Sequence, residues 1–211
     1  MPAADPIGFP AHAFAKQDAA PDRLFYAMPR FVTHIDEGAI AAVTALYRAL
    51  FPPGGTVLDL MGSWVAHLPD DVAYAEVIGH GMNEAELAAN PRYSRWFVQD
   101  LNERPALPLA SGTVDAAAIC VSVQYLQQPV EVLREVERVL QPGGVLAITF
   151  SNRCFPTKAV AIWQALDGEE HQRLVALYLQ HAGFAAAEPR TLIAPSADGD
   201  PLWAVIGRKA G

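Results

Sequence analysis

The sequence predicts an α/β domain in which short buried strands alternate with helices. With 211 residues, 52% of them hydrophobic and 18% charged, the chain has the composition of one globular domain with a sizeable core. Short apolar runs such as 57–60 alternate with amphipathic segments such as 130–140. Proline and glycine clusters separate these segments, as at 52–55 and 142–144. This alternation is typical of helices packed on a parallel sheet.

The charge and the cysteines argue against several classes of function. The formal net charge is -8 and no basic run is present, which argues against a nucleic-acid partner. Cys120 and Cys154 are too few for a disulfide framework or a metal cluster, so we expect a reduced, cytoplasmic protein without a metal. No apolar stretch approaches the ~20 residues of a membrane helix, and the N-terminus lacks the pattern of a signal peptide. Neither export nor a membrane partner is expected.

The first 35 residues differ in composition from the rest. They combine prolines with aromatic residues, namely Pro2, Pro6, Pro10, Pro21, Pro29, Phe9, Phe14, Phe25, Tyr26 and Phe31. The segment is too rich in proline for a regular element and too aromatic for a solvated tail. We therefore predict an ordered arm or lid over 1–35 and one domain over 36–211.

The first half of that domain begins with a helix. Asp36 and Glu37 place carboxylates at its positive end, and its apolar residues recur at core-facing spacing until the prolines and glycines of 52–55. A short central strand follows over 56–60. The next crossover, 63–71, leaves room for a helix of one or two turns before a second strand at 73–79.

The second half continues the alternation. The predicted elements are a helix at 84–89, a strand at 96–98, a strand at 116–121, a helix at 130–140, a strand at 145–150, a helix at 169–182, and strands at 188–194 and 202–208. The loop 195–201 joins the last two strands as an antiparallel pair.

A carboxylate at the end of the first strand is the first candidate for a functional site. Asp59 lies among apolar residues and is followed by a small turn that contains Gly62 and Ser63. Ligands of open α/β sheets bind in the crevice beyond the carboxyl ends of the strands. The alternative is that Asp59 only caps the turn after the strand.

Four segments together resemble the class I S-adenosylmethionine-dependent methyltransferases. They are 56–63, 98–102, 114–126 and 133–150; the last, with its Pro-Gly-Gly after an amphipathic helix, is the most specific. The resemblance covers 38–208 and is closest to the branch that acts on small molecules. It implies a doubly wound, Rossmann-like, mostly parallel sheet of seven strands in the order 3-2-1-4-5-7-6.

The resemblance also implies S-adenosylmethionine as the cofactor, with S-adenosylhomocysteine as the product. The residues that it places around the cofactor are Asp59, Met61, Gly62, Ser63, Gly79, Gly81, Met82, Asn83, Asp100, Leu101 and Val121. Asp100 with Leu101 matches the adenine reader, a carboxylate for the exocyclic amine and a backbone N–H for a ring nitrogen. Asp100 as an ordinary turn acid is the alternative.

The sequence departs from the family in two places. Met61 and Ser63 stand where glycines are usual, and Gly81 stands where the family has an acid for the ribose hydroxyls. Asn83 is the best substitute for that acid, because its amide both donates and accepts hydrogen bonds. Alternatively, Asn83 caps the helix that follows it.

The methyl acceptor is expected beside the donor, under the arm, and to be a small molecule. The predicted acceptor-site residues are Tyr26, Arg30, Trp64, Asn152, Arg153 and Cys154. Arg30 suits an acceptor with an anionic group. His34 and Tyr125 are the candidate catalytic residues, although a histidine at a helix start can simply cap it and a tyrosine there can simply pack. A homodimer is left open.

Two other functions compete with this interpretation. A nicotinamide dehydrogenase needs Gly-x-Gly-x-x-Gly after the first strand, and 60–65 contains one glycine. A non-catalytic binding or regulatory protein with the same fold is the second, favoured by the degenerate glycine turn.

Overall fold

A seven-stranded sheet forms the centre of the protein, which we describe from a computed structural model over residues 7–211. The first six residues of the predicted arm lie outside the described part. The strands are β1 (Thr56–Leu60), β2 (Glu76–Gly81), β3 (Arg95–Val98), β4 (Val114–Cys120), β5 (Leu140–Phe150), β6 (Ala186–Ile193) and β7 (Leu202–Arg208). Their order is β3-β2-β1-β4-β5-β7-β6, with β7 antiparallel to both of its neighbours and the others parallel. The predicted sheet and its order are confirmed.

Six helices accompany the sheet in the described chain. They are α1 (Asp22–Phe25), α2 (Glu37–Leu50), α3 (Glu84–Ala89), α4 (Pro129–Val139), α5 (Ala161–Gln164) and α6 (Gly168–Ala182). Asp36 caps α2 by accepting the Ala39 N–H at 2.8 Å. Asp167 and Glu170 form a capping box on α6, which ends at Gly183 with φ 99°. No helix within 7–211 is long and apolar enough to cross a lipid bilayer.

The two faces of the sheet bury separate apolar clusters. On one face, Leu58 and Leu60 of β1 pack in a cluster that also contains residues of α4 and α6. On the other face, Val57 packs in a cluster with Val43 and Tyr47 of α2. Alternate residues of β1 therefore point to opposite helical layers, as expected for a central strand.

The connection between β1 and β2 is the main departure from the expected elements. Residues 61–75 contain no helix, whereas one or two turns were expected, and β2 begins three residues later than predicted. Side chains of the turn after α3 hold this segment instead. Asn90 donates to the Ser63 carbonyl at 2.9 Å, and Arg92 donates to the carbonyls of Pro69 and Val72. Because these carbonyls gain partners from outside, the segment needs no helix of its own.

The fifth strand is also longer than predicted. It begins at Leu140 directly after α4, and Leu140 pairs with Val114 before the ladder shifts register. Gly143, with φ 76°, lies within this irregular first part. The Pro-Gly-Gly segment therefore bends the start of the strand as well as following the helix.

The arm packs onto the domain over much of its described length. Ala13 and Phe14 are buried in the same cluster as β1, and Lys16 pairs as an isolated bridge with Val160. The Lys158 side chain is fully buried and ion-pairs with Asp18 at 3.0 Å and Asp22 at 3.2 Å. The division at residue 35 stays a prediction about domain organisation.

Candidate functional site

A cavity of about 570 Å³ opens at the carboxyl ends of β1 to β4, where the strand order reverses. Its wall contains every predicted site residue except Gly79, Trp64 and Asn152. These lining residues are Tyr26, Arg30, His34, Asp59, Met61, Gly62, Ser63, Gly81, Met82, Asn83, Asp100, Leu101, Val121, Tyr125, Arg153 and Cys154. The volume is in the range of small-molecule and cofactor sites.

The turn after β1 is held by His80, a residue that the sequence analysis did not single out. The Met61 N–H donates to Nδ1 of His80 at 3.0 Å, so Nε2 carries the proton and donates to the Gln99 carbonyl at 3.0 Å. The Gly62 N–H donates to the His80 carbonyl at 2.7 Å. Burial lowers the pKa of His80 to about 4, which keeps the ring neutral. The sequence did contain a signal for His80, because a single histidine within a buried strand needs hydrogen-bond partners.

Two glycines of this region allow close approach by Tyr93. A Cβ added at Gly62 would lie 2.3 Å from the Tyr93 hydroxyl, and one at Gly79 would lie 2.3 Å from the Tyr93 ring. Gly79 therefore makes room for Tyr93 and lies outside the cavity wall, which corrects its prediction as a cofactor residue.

The acid usually found at the end of the second strand is sterically excluded. A Cβ at Gly81 would lie 2.5 Å from the backbone oxygen of Gly62. Glycine replaces the family's acid at position 81 because the turn after β1 passes so close to the end of β2 that no side chain fits there.

Asp59 is buried beneath the turn. One of its oxygens accepts a hydrogen bond from the Tyr93 hydroxyl at 2.7 Å. Burial raises the pKa of Asp59 from 3.8 to about 7, although the bond from Tyr93 opposes the shift. The carboxyl group thus exchanges its proton near neutral pH while lining the cavity.

Asp100 and Leu101 follow β3 and keep free hydrogen-bonding groups. One Asp100 oxygen accepts the Asn102 N–H at 2.9 Å, in the manner of a turn acid. Within 7–211 the other oxygen accepts no hydrogen bond, and the Leu101 N–H has no acceptor. The pair therefore offers the cavity one acceptor and one donor.

Asn83 is engaged within the protein. Its oxygen accepts the Glu86 N–H and caps α3, and its amino group donates to the carbonyls of Tyr26 at 2.9 Å and Ala27 at 3.2 Å. Asn83 therefore caps the helix, which was the alternative to binding the ribose. Its amide would have to give up these hydrogen bonds before it could bind a ribose.

Glu86 was missed by the sequence analysis. Its carboxylate lines the cavity and accepts the Ser63 hydroxyl at 2.5 Å and the Arg30 N–H at 2.6 Å. The Asn-x-x-Glu spacing is that of a capping box, but the Glu86 carboxylate binds the arm and the turn after β1 instead of the backbone of Asn83.

The arm supplies one wall of the cavity through Tyr26, Arg30 and His34. The Arg30 guanidinium lies 4.6 Å from the ring centre of Phe25 and 5.5 Å from that of Phe155. It donates one hydrogen bond, to the Phe25 carbonyl at 2.9 Å, and forms no ion pair within the described chain. A positive charge is thus available at this wall.

Trp64 and Asn152 do not line the cavity, which corrects both predictions. The Trp64 indole donates to the Val32 carbonyl at 3.1 Å and meets Phe31 edge to face, so it holds the arm from outside. Asn152 is exposed beside Ser151. Its neighbour Arg153 lines the cavity and ion-pairs with Asp200 at 2.7 Å.

Tyr125 is held by the loop after β5. Its hydroxyl accepts the Phe155 N–H at 2.9 Å, and its ring stacks on Phe155. Burial raises the pKa of Tyr125 to about 12, and burial also raises the pKa of the Cys154 thiol. Neither group ionises readily at neutral pH, so both are better suited to forming the cavity wall than to acting as a general base.

In residues 7–211, no three acidic, cysteine or histidine side chains lie close enough to hold a metal.

One stretch of the chain matches a known protein family. Residues 61–148 match a family described as a methyltransferase domain. No curated protein sequence matches the chain.

Solved structures with the same fold include proteins with different named activities. The [4+2]-cyclase SpnF shares 15% identity, covering 89% of this chain and 91% of its own, with a TM-score of 0.62. A methyltransferase from Aquifex aeolicus described as SAM-dependent shares 18%, covering 81% and 90%, with a TM-score of 0.59. Phosphoethanolamine N-methyltransferase 2 of Haemonchus contortus, solved with S-adenosylmethionine, shares 14%, covering 81% and 52%, with a TM-score of 0.59. The chain therefore contains a methyltransferase domain match over 61–148 and shares its fold, with the sheet order given above, with these solved structures.

Proposed function

We propose that the protein transfers a methyl group from S-adenosylmethionine to a small-molecule acceptor. The observation that carries the proposal is the free pair at the end of β3, an Asp100 oxygen and the Leu101 N–H in the wall of the cavity. This pair has the polarity that an adenine edge requires. The structure of the Haemonchus contortus enzyme with S-adenosylmethionine supports the same cofactor.

The residues of the cavity fit this cofactor in part. Asp100 and Leu101 would bind the adenine, and Asp59 would lie near the positive groups of the methionine end. The rings of Tyr26 and Phe155 also line the cavity, with the Arg30 guanidinium 5.9 Å and 5.5 Å from their centres. When bound, the cofactor supplies the electrophilic methyl group.

The chain itself contributes positioning and exclusion of water. The arm covers the cavity through Tyr26, Arg30 and His34, and such a covered site favours alignment of two reactants over hydrolysis. Arg30 would bind an anionic group of the acceptor, because its guanidinium has no carboxylate partner within 7–211. The net charge of -8 disfavours nucleic acid as the acceptor. A cytoplasmic location and a homodimer remain predictions of the sequence.

A non-catalytic cofactor-binding or regulatory protein is the second candidate. It is favoured by the missing helix after β1 and by Gly81, because both remove features that usually hold the cofactor. Binding of S-adenosylhomocysteine without turnover of any acceptor would support it.

Asp100→Ala should weaken the binding of S-adenosylhomocysteine by about 1–3 kcal/mol, because a donor of the adenine would lose its acceptor. Isothermal titration calorimetry of the full chain measures this loss. Glu103→Ala, which changes an exposed acid nearby, is the matched control and should bind as wild type does. Equal affinity of the Asp100 variant and wild type would refute this adenine assignment.

Release of S-adenosylhomocysteine is expected with at least one small thiol, amine, phenol or carboxylate. A panel of such compounds should be compared with RNA, DNA and protein under the same conditions. Turnover confined to the macromolecules would contradict the proposed acceptor class.

A further inference from the structure

Four of the six histidines divide into two groups. The rings of His80 and His171 hydrogen-bond to backbone carbonyls, at 3.0 Å and 2.8 Å, and so serve the fold. His34, which is exposed, and His67, which is half-buried, both line the cavity. No residue of 7–211 hydrogen-bonds to either of these two rings. An unpartnered imidazole in a cavity wall is available to a ligand.

The backbone of His67 is strained. Its φ is 52°, in the left-handed region that side chains other than glycine seldom adopt. The Thr44 hydroxyl on α2 lies 3.0 Å from the carbonyls of both His67 and Ile40, which share it as a donor, and the neighbouring Ala66 and Leu68 are buried. The surroundings therefore fix this conformation. Strain of this kind concentrates at functional sites.

The surroundings of both rings lower the pKa, which favours the neutral form. Burial lowers the pKa of His67, and nearby His34 lowers it further. Burial also lowers the pKa of His34, where Glu86 acts in the opposite direction and Arg30 in the same one. Each ring thus keeps a lone pair that can accept a proton or a hydrogen bond at neutral pH.

We propose that His67 joins His34 in binding the acceptor, and that the atom methylated is the oxygen of an alcohol or phenol or the nitrogen of a neutral amine. This inference rests on the proposed methyl transfer and deepens it. Two unpartnered imidazoles serve a nucleophile that still carries a proton; an acceptor already anionic at that atom has no proton for them to take.

The division of labour follows from the neighbours of each ring. His34, next to Glu86, takes the proton, because the carboxylate stabilises the imidazolium that forms. His67, fixed by its backbone, holds the acceptor by a hydrogen bond. The acceptor atom bonds to the methyl carbon, the bond from that carbon to sulfur breaks with its electron pair left on sulfur, and the acceptor proton goes to His34.

The test uses phenol, benzyl alcohol and aniline as probes whose acceptor atom is neutral and carries a proton, with thiophenol as a probe whose acceptor atom is largely anionic at neutral pH. The full chain is selectively labelled at histidine, and the ring signals are followed by NMR with and without S-adenosylhomocysteine. His34→Gln and His67→Gln assign the two signals. We expect at least one of the proton-bearing probes to move both signals, and thiophenol not to do so. Rings that no proton-bearing probe moves, or that thiophenol moves equally, would overturn the proposal.

Kinetics with a turned-over probe distinguish the two roles. His34→Gln should lower kcat at least ten-fold and remove the acidic limb of the pH profile, whereas His67→Gln should mainly raise KM for the probe. His181→Gln, at an exposed position on α6, is the control. Affinity for S-adenosylhomocysteine should stay within two-fold in all three variants. If wild type does not bind S-adenosylhomocysteine, the proposed cofactor is wrong. The response of the histidine rings to the probes in the absence of S-adenosylhomocysteine still tests the acceptor site.

Discussion

Asp22→Ala is expected to destabilise the protein by about 3–5 kcal/mol, because it leaves a buried lysine without its buried partner. The Lys158 side chain is fully buried, and Asp22 is the more buried of its two carboxylate partners. Asp22 also pairs with Lys16 and accepts from Asn102 at 3.0 Å. Urea unfolding of the full chain measures the loss of free energy.

Two further variants test that explanation. Asp198→Ala, at an exposed position, should change the free energy of unfolding by less than about 0.5 kcal/mol. Lys158→Met removes the charge and fills the same space, so it should cost less than Asp22→Ala. A loss for Asp22→Ala no larger than that for Asp198→Ala would show that the ion pairs do not hold the arm.

Asp59→Asn is expected to stabilise the unliganded protein at about pH 8 by about 4 kcal/mol. The pKa of Asp59 is raised by burial from 3.8 to about 7. Below 3.8 both the folded and the unfolded forms hold the proton, and between the two values only the folded form does. The stability of wild type relative to the variant therefore falls as pH rises through this window and is level above it.

Unfolding by urea at several values between about pH 4 and pH 8 measures this difference. The amide of the variant still accepts from Tyr93 and adds no charge. Asp70→Asn, an exposed change, should give a difference from wild type that is small throughout. A gain for Asp59→Asn that does not grow with pH would contradict the buried, proton-binding carboxyl group.

Local patterns predicted most of the elements, because each pattern reflects burial on one face. The helix at 84–89 coincides with α3, and the strand at 202–208 coincides with β7. The helix expected between β1 and β2 is absent because Asn90 and Arg92, distant in sequence, supply hydrogen bonds to that segment. The sheet order came from the resemblance, since periodicity specifies no neighbours.

Site residues could be predicted where the family resemblance assigns a role to a sequence position. They were missed where the role of a residue depends on tertiary contacts. Asp100 and Asp59, singled out from their places after β3 and in β1, line the cavity, and their binding of the cofactor stays a prediction. The roles of His80 and Glu86 depend on partners brought together only by the fold. The sequence allowed Asn83 to be either a ribose ligand or a helix cap, and it did not predict the hydrogen bonds from Asn83 to the arm.

The buried lysine that holds the arm also constrains the order of events during synthesis. Asp18 and Asp22 leave the ribosome early, but Lys158, their partner in the core, is made 140 and 136 residues later. Contacts of such long range form after the local ones, because closing the loop costs entropy first. The segment 18–22 of a growing chain therefore stays unanchored until β5 and the following loop exist, whereas Tyr26 and Arg30 can already meet Asn83 and Glu86. Anchoring of that segment is then a late step of folding.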